Sequence, residues 1–401
     1  MKKILIIGAG MLQTYVIQRA KELGYYTLAV DGDKNAPGFQ FCDDYQCINI
    51  VHEEECLLYA REKQIDGVLT AATDYGVRTA SYIAQQMGLN GLNYNSAKII
   101  KDKYMVRKVL HQKGVKSIPQ YFEIETEADV IRLSDAVGYP IIVKPCDASG
   151  SRAVAKVEDK TVLLPACLDA IENSISKKAL LETYIHGNEY GVESFVYDGK
   201  IHVLAVMKKT MTPPPAYAEL GHALPAGVPE VIQKRFEKAA VEIIAALGIN
   251  FGSVNMDFIL DNAKHPVMVD IGARMGGNLI GSHIIPLSTG IDYIGNMLRA
   301  SVGESVVVRP EKNKQIATKI LNLSPGIVKQ LPDLDSLYEK YQCLKYAVFN
   351  ITKGSEIRSY KTNLDGCGYV VCEGATLEEA ERNAQKVRDD IDEKLIREFT
   401  Y

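Results

Sequence analysis

The sequence predicts a mixed chain, α/β at the N-terminus and α+β thereafter. Three observations carry this. In the first hundred residues short aliphatic runs alternate with helical patterns, as βαβ units with a parallel sheet require. Behind them, apolar strands follow one another with few helices between, the pattern of hairpins. After residue 311, two strand patterns are closed by one long amphipathic helix.

Taken in order, Ile4 to Ile7 reads as a buried strand, Met11 to Leu23 as a helix, Tyr26 to Val30 as a strand, and Gly67 to Thr70 as a further strand after another helix. This is the plan of a Rossmann-like unit. A charged amphipathic helix around Asp102 to Lys113 ends on Gly114 and Pro119, the punctuation of a module boundary. A helix from Ala128 to Val137 precedes the strand Ile141-Ile142-Val143, which ends on Lys144-Pro145 and a loop of small residues. Strands follow at Ala179 to Glu182, Tyr190 to Tyr197, Ile201 to Lys208, Asn255 to Leu260 and Val267 to Ile271, with a helix from Pro229 to Leu247 among them. The last segment has strands near Gln315 to Leu321 and Tyr369 to Cys372, then a helix from Leu377 to Ile396 whose Thr376 and Glu379 have capping-box spacing. No internal repeat or low-complexity tract interrupts this series.

At 401 residues the chain is long enough for two to four packed modules sharing a cleft. A net charge of −4 argues against a broad nucleic-acid surface, so any anion site must be local. The eight cysteines are scattered, without CxxC pairs or zinc spacing, and read as reduced packing thiols. The N-terminus runs straight into a short strand and no apolar run reaches membrane-spanning length, so a cytoplasmic protein is expected.

Four segments carry chemistry. Gly8-Ala9-Gly10-Met11-Leu12-Gln13, with Asp31 at the end of the next strand, has the outline of a dinucleotide fingerprint, but Gln13 stands where tight packing favours a small residue. A plain glycine turn is the commoner origin of such a motif. Lys144 followed by Ser149-Gly150-Ser151-Arg152 puts a cation beside backbone and hydroxyl donors that can cradle phosphate, although the Walker pattern is absent. Asp257 and Asp270 are acids on apolar strands, each alone an ordinary outward-facing residue but together a pair of hard oxygen donors suited to Mg²⁺. Directly behind them, Arg274-Met275-Gly276-Gly277 places an arginine able to hold a carboxylate or acyl phosphate bidentately.

In this order the segments resemble the ATP-grasp superfamily, in particular the carboxylate–amine ligases related to carbamoyl-phosphate synthetase and the bacterial L-amino-acid ligases. The resemblance covers most of the chain. It implies a Rossmann-like pre-ATP-grasp domain over residues 1–100 that does not bind NAD, a two-lobed ATP-grasp domain over 101–310 with a flexible lid lobe at about 115–185, and a C-terminal α+β segment over 311–401. It further implies that Lys103, one turn before Arg107, and Lys144 contact the nucleotide phosphates and that Ser149, Gly150 and Ser151 form the lid over them. Glu182, Tyr184 and Ile185 would form the hinge whose backbone pairs with adenine, with Glu182 near the adenine amino group, and Glu189 would hold the ribose. Asp257 and Asp270 would be the metal ligands, and Arg274 and Lys144 the catalytic cations. One stretch departs from the family: relatives commonly carry Glu-x-Asn-x-Arg where this chain has Asp270-Ile271-Gly272-Ala273-Arg274. The carboxylate is one methylene shorter and an amide ligand is missing.

The activity implied is ATP-dependent amide formation through an acyl phosphate, with ATP and Mg²⁺ (or Mn²⁺) required and small carboxylate and amine substrates as partners. Neither nucleic acid nor membrane is expected as a partner, and a homodimer is the default assembly. The segment Thr212 to His222 resembles the border of the acceptor pocket, where Glu219 or His222 can meet an amine or merely cap a loop. The rival readings are an NAD(P)-dependent oxidoreductase, on Gly8 to Gly10 and Asp31, and a nucleotide-binding regulator without turnover.

Overall fold

The computed structural model describes residues 1–148, 153–213 and 217–398. The N-terminal alternation forms a parallel four-stranded sheet in the spatial order Asp44–Cys47, Tyr26–Asp31, Lys3–Ile7, Gly67–Leu69. Gly8 turns the chain from strand to helix at φ +101°, a conformation that side chains other than glycine rarely adopt. The turn is closed by the protein itself. The Ala9 N–H donates to Asp31 Oδ2 at 2.8 Å, and Gln13 donates through Nε2 to the Ala71 carbonyl at 2.5 Å. Asp31 and Gln13 are thus structural braces, and the dinucleotide reading of this motif gives way to the plain turn.

A second sheet, antiparallel, has the order Tyr121–Ile124, Ala179–Thr183, Ile141–Pro145, Ala155–Val157. Its first helix is shorter than the pattern predicts, Glu127–Leu133, and starts at a capping box between Thr126 and Asp129.

The third sheet is antiparallel and eight-stranded. Its order is Pro266–Gly272, Gly252–Asp261, Gly187–Tyr197, Lys200–Met211, Glu219–Leu224, Gln315–Ile320, Gly368–Gly374, Leu344–Phe349. The C-terminal strands therefore extend the central sheet directly, Ala223 lying opposite Ala317. The helix Glu230–Ala246 covers one face, burying Phe236, Ile243 and Ile244 against Phe258 and Val192. The helix Lys103–Gln112 adds Val106 and Leu110 to the same core, which fixes its N-terminal lysine over the sheet. The last helix spans Leu377–Lys394 and stops short of Ile396, because Ile396–Glu398 pairs as a strand with Gly326–Gln330. All eight cysteines are free thiols. Among the described residues no helix is long and apolar enough to cross a membrane.

Candidate active site

The strand Gly252–Asp261 alternates strictly after Val254. Met256, Phe258 and Leu260 enter the core, so Asn255, Asp257 and Ile259 must face the other way. Asp257 lies directly opposite Asp270 on the neighbouring strand. Two carboxylates so placed repel each other unless cations stand between or around them. A β-bulge follows this pair: Phe258 is opposite Met268, leaving Val269 as the extra residue. Its carbonyl, released from the ladder, accepts from Arg107 Nη2 at 2.7 Å and from Lys144 Nζ at 2.9 Å.

These cations reach the bulge from two elements. Asp102 caps the helix Lys103–Gln112 by accepting from the N–H groups of Tyr104 and Met105. Lys103 thereby begins the helix, and Arg107 lies one turn along on the same face. Lys103 Nζ meets Asp270 Oδ1 at 2.6 Å. Lys144, at the end of its strand, meets Glu182 Oε2 at 2.5 Å, while Arg107 Nε holds Glu182 Oε1 at 2.5 Å. Burial works against the Glu182 charge, yet Arg107 and Lys144 keep its carboxyl below the usual range. Burial pulls Lys144 below the usual ammonium range against the opposing pull of Glu182. Asp270, whose side chain is partly exposed to the cleft, is held far below the carboxylate range by Lys103 and Lys144.

A second charge cluster lies on the neighbouring strands. Lys209, its side chain 2% exposed, stands 2.7 Å from Glu219, 2.9 Å from Asp257 and 3.8 Å from Glu189. Burial disfavours the Lys209 ammonium, but Asp257, Glu219 and Glu189 together push its pKa well above the ordinary value. Glu189, with fewer compensating contacts, is pushed up by its own burial.

The cleft enclosed by these groups has a volume of about 470 Å³. Lys103, Lys144, Asp257 and Asp270 line one part of it. Glu182, Tyr184, Ile185 and Glu189 line another. All eight are residues expected to have nucleotide or metal roles. Ser149, Gly150 and Ser151 lie outside the described residues, as do Arg152 and residues 214–216 of the expected acceptor loop.

Two expectations need correction. Glu182 has both carboxylate oxygens engaged, by Arg107 and Lys144, so its side chain neutralises cations and is not free for an adenine amino group. The expected backbone pairing at the hinge does not depend on that side chain. The Tyr184 N–H is tied to the Pro140 carbonyl at 3.2 Å, whereas the Ile185 N–H has no partner among the described residues. Arg274, expected as an open bidentate clamp, has its fork filled by Asp74, at 2.8 Å from Nε and 3.2 Å from Nη2. It lines a smaller cavity of about 50 Å³ that also touches Lys103, Asp257 and Asp270. His222 is buried beneath the cleft with no partner on Nδ1 among the described residues, and Glu219 is held by Lys209 and Asn278.

Sequence reading missed Lys209, Asp74 and Glu193. Lys209 had a signal: the strand continues past Lys208 to Met211, and alternation sends Lys208 outward to Glu381 and Lys209 inward. Glu193 lies fully buried behind the site, accepting from Asn255 Nδ2, the Gly276 N–H and the Tyr293 hydroxyl.

Comparison with known proteins agrees with this architecture. A family model described as ATP-grasp domain matches residues 137–282, and one described as L-amino acid ligase C-terminal domain 2 matches residues 320–394. The chain is similar to the solved L-amino acid ligase from Bacillus licheniformis, with a TM-score of 0.84, 22% identity, and 100% of this chain and 99% of that chain covered. It is also similar to phosphoribosylglycinamide synthetase from Anaerococcus prevotii, with a TM-score of 0.80, 22% identity and coverage of 99% and 100%. At these identities the likeness speaks for the fold. Carnosine synthase 1 of Homo sapiens is 24% identical over 343 residues, which are 77% of this chain but only 40% of that protein. The chain thus spans less than half the length of that relative.

Proposed function

We propose that the chain is an ATP-dependent carboxylate–amine ligase of the ATP-grasp type, which forms an amide bond and releases ADP and phosphate. The observation that carries this reading is the opposed pair Asp257 and Asp270, ringed by Lys103, Lys144 and Lys209 at one end of a cleft whose other end is a backbone hinge. The match to an L-amino acid ligase C-terminal domain supports an amino acid as one substrate.

The residues present fit a divalent cation. In both Asp257 and Asp270 the lysine contact is to Oδ1, so each Oδ2 remains open among the described residues. Lys103, Arg107, Lys144, Lys209 and Arg274 are each already paired with a carboxylate of the site, drawn from Asp74, Glu182, Glu189, Glu219, Asp257 and Asp270. A triphosphate entering such a site has to bring positive charge with it. Bound Mg²⁺, or Mn²⁺, would neutralise the phosphate oxygens at Asp257 and Asp270.

In the first step an oxygen of the substrate carboxylate attacks the γ-phosphorus, the bond to the β,γ-bridging oxygen breaks, and ADP leaves. In the second the amine nitrogen attacks the acyl carbon, the acyl–oxygen bond breaks, and phosphate leaves with the amine giving up a proton. The chain supplies position and charge: Lys103 and Lys144 at the phosphates, Arg274 beside the reacting carboxylate, Ile185 at the base and Glu189 at the ribose. No covalent nucleophile on the protein is required. The test is phosphate release from MgATP over paired amino acids, carboxylic acids and amines. Release that needs both partners and stops on chelation of the metal supports the reading, and nucleotide binding without release on any pair contradicts it.

A further inference from the structure

Arg274 lies in the bend after the strand Pro266–Gly272 and is fixed by several partners. Besides the two contacts to Asp74, its Nη1 donates to Asn255 Oδ1 at 3.2 Å and to the Met275 carbonyl at 3.4 Å. A guanidinium has five N–H donors, so one hydrogen on Nη2 is left for a ligand. Gripping an incoming carboxylate with two parallel bonds would mean expelling Asp74. Burial disfavours the guanidinium charge, but Asp74, together with Glu193 and Asp257, holds it above the ordinary arginine range.

Gly272 belongs to the same arrangement. A Cβ at that position would lie 2.8 Å from Asp74 Oδ1, 3.1 Å from Arg274 Cζ and 3.2 Å from Arg274 Nε. The backbone there is not left-handed, so the requirement for glycine is one of space. Where the resembling family commonly has an asparagine side chain, this chain has Asp74, reaching across from the loop after the strand Gly67–Leu69 of the N-terminal unit.

We propose that Asp74 is the positioning residue of Arg274, that Gly272 is the space it requires, and that the pair presents Arg274 to the substrate carboxylate through a single end-on N–H. The proposal rests on the ligase reading. It makes the N-terminal unit a contributor to the catalytic cleft, since the carboxylate that orients Arg274 comes from there. Positions 74 and 272 are then not independent: a side chain at 272 is harmful only while Asp74 fills the space.

Phosphate-release kinetics, ATP titration and thermal melting of Asp74→Ala, Asp74→Asn, Gly272→Asn and the double variant Gly272→Asn/Asp74→Ala test this. Loss of the oriented arginine lowers kcat about tenfold or more in Asp74→Ala, with ATP affinity within about twofold of wild type. Asp74→Asn, which keeps an acceptor, recovers part of the loss. Gly272→Asn lowers kcat by a similar factor in the presence of Asp74, but adds no loss, or restores activity, in the Asp74→Ala background. Wild-type kcat in Asp74→Ala, or losses at 74 and 272 that multiply independently, overturn the proposal; if Asp74→Ala does not fold, Asp74→Asn carries the same comparison. Should the wild-type chain release no phosphate on any substrate pair, the ligase reading falls by itself. The melting temperatures then decide: a drop for Gly272→Asn only where Asp74 is present supports the pairing, and equal drops in both backgrounds overturn it.

Discussion

Lys209 is a buried ammonium with three carboxylates around it, and its removal leaves the largely buried Asp257 and Glu219 without their cation. Stranding buried charges of this kind costs about 3–5 kcal/mol. Lys209→Met is therefore expected to lower the denaturant midpoint by that equivalent, as measured by equilibrium unfolding, and to abolish phosphate release even where the variant is folded. Glu193 is the opposite case, an acid that burial pushes up to about 7 from its ordinary 4.5, although Tyr293, Arg274, Asn255 and the Gly276 N–H pull it down. Its folded pKa being raised, its contribution to stability is complete below pH 4.5 and is lost as pH rises through about 7. Glu193→Gln retains the shape without the titration. Relative to that variant, the wild-type protein is expected to lose about 3 kcal/mol between pH 4.5 and 7, at roughly 1.4 kcal/mol per pH unit. Parallel unfolding curves across that range would show that Glu193 does not titrate there.

At the scale of elements, the site is a consequence of three local devices: a capped helix start, a β-bulge, and an alternating strand. The cap is the simplest to remove. Asp102→Ala takes away the acceptor for two N–H groups at the start of the helix Lys103–Gln112. It is expected to destabilise the protein by about 1 kcal/mol and to weaken ATP binding, because Lys103 is the first helical residue; melting and nucleotide titration check the two effects. Periodicity made most elements legible: the strand Asn255 to Leu260 lies within Gly252–Asp261, and the helix from Pro229 to Leu247 is Glu230–Ala246. Ends were less legible, and one mattered. Ending a strand at Lys208, where apolar alternation stops, left Lys209 out of the inward-facing set. The bulge at Val269 was invisible because it depends on how two strands pair, which no single run of residues encodes.

Across the whole molecule, contacts distant in sequence account for what the chain alone did not reveal. Lys144, Asp257 and Asp270 were picked out by residue type and position, Lys103 and Glu189 by the family resemblance, and the fold brings all five to one cleft. Asp74 was not, since it lies in a short loop 200 positions from Arg274 and has no pattern of its own. Nor could local pattern show that the strand Gln315–Ile320 continues the central sheet beside Glu219–Leu224. The same contact brings C-terminal residues to the edge of the site, where Tyr369 donates to Asn278 at 3.1 Å and Asn363 accepts from the Glu219 N–H at 3.0 Å. In the proposed reaction this cleft activates a carboxylate by phosphorylating it. The most direct test of that step uses a substrate pair that supports phosphate release, with the carboxylate labelled with ¹⁸O. Acyl phosphate chemistry predicts one ¹⁸O atom in each inorganic phosphate released and none in the nucleotide. Unlabelled phosphate alongside the amide product, or label carried into AMP, would contradict it.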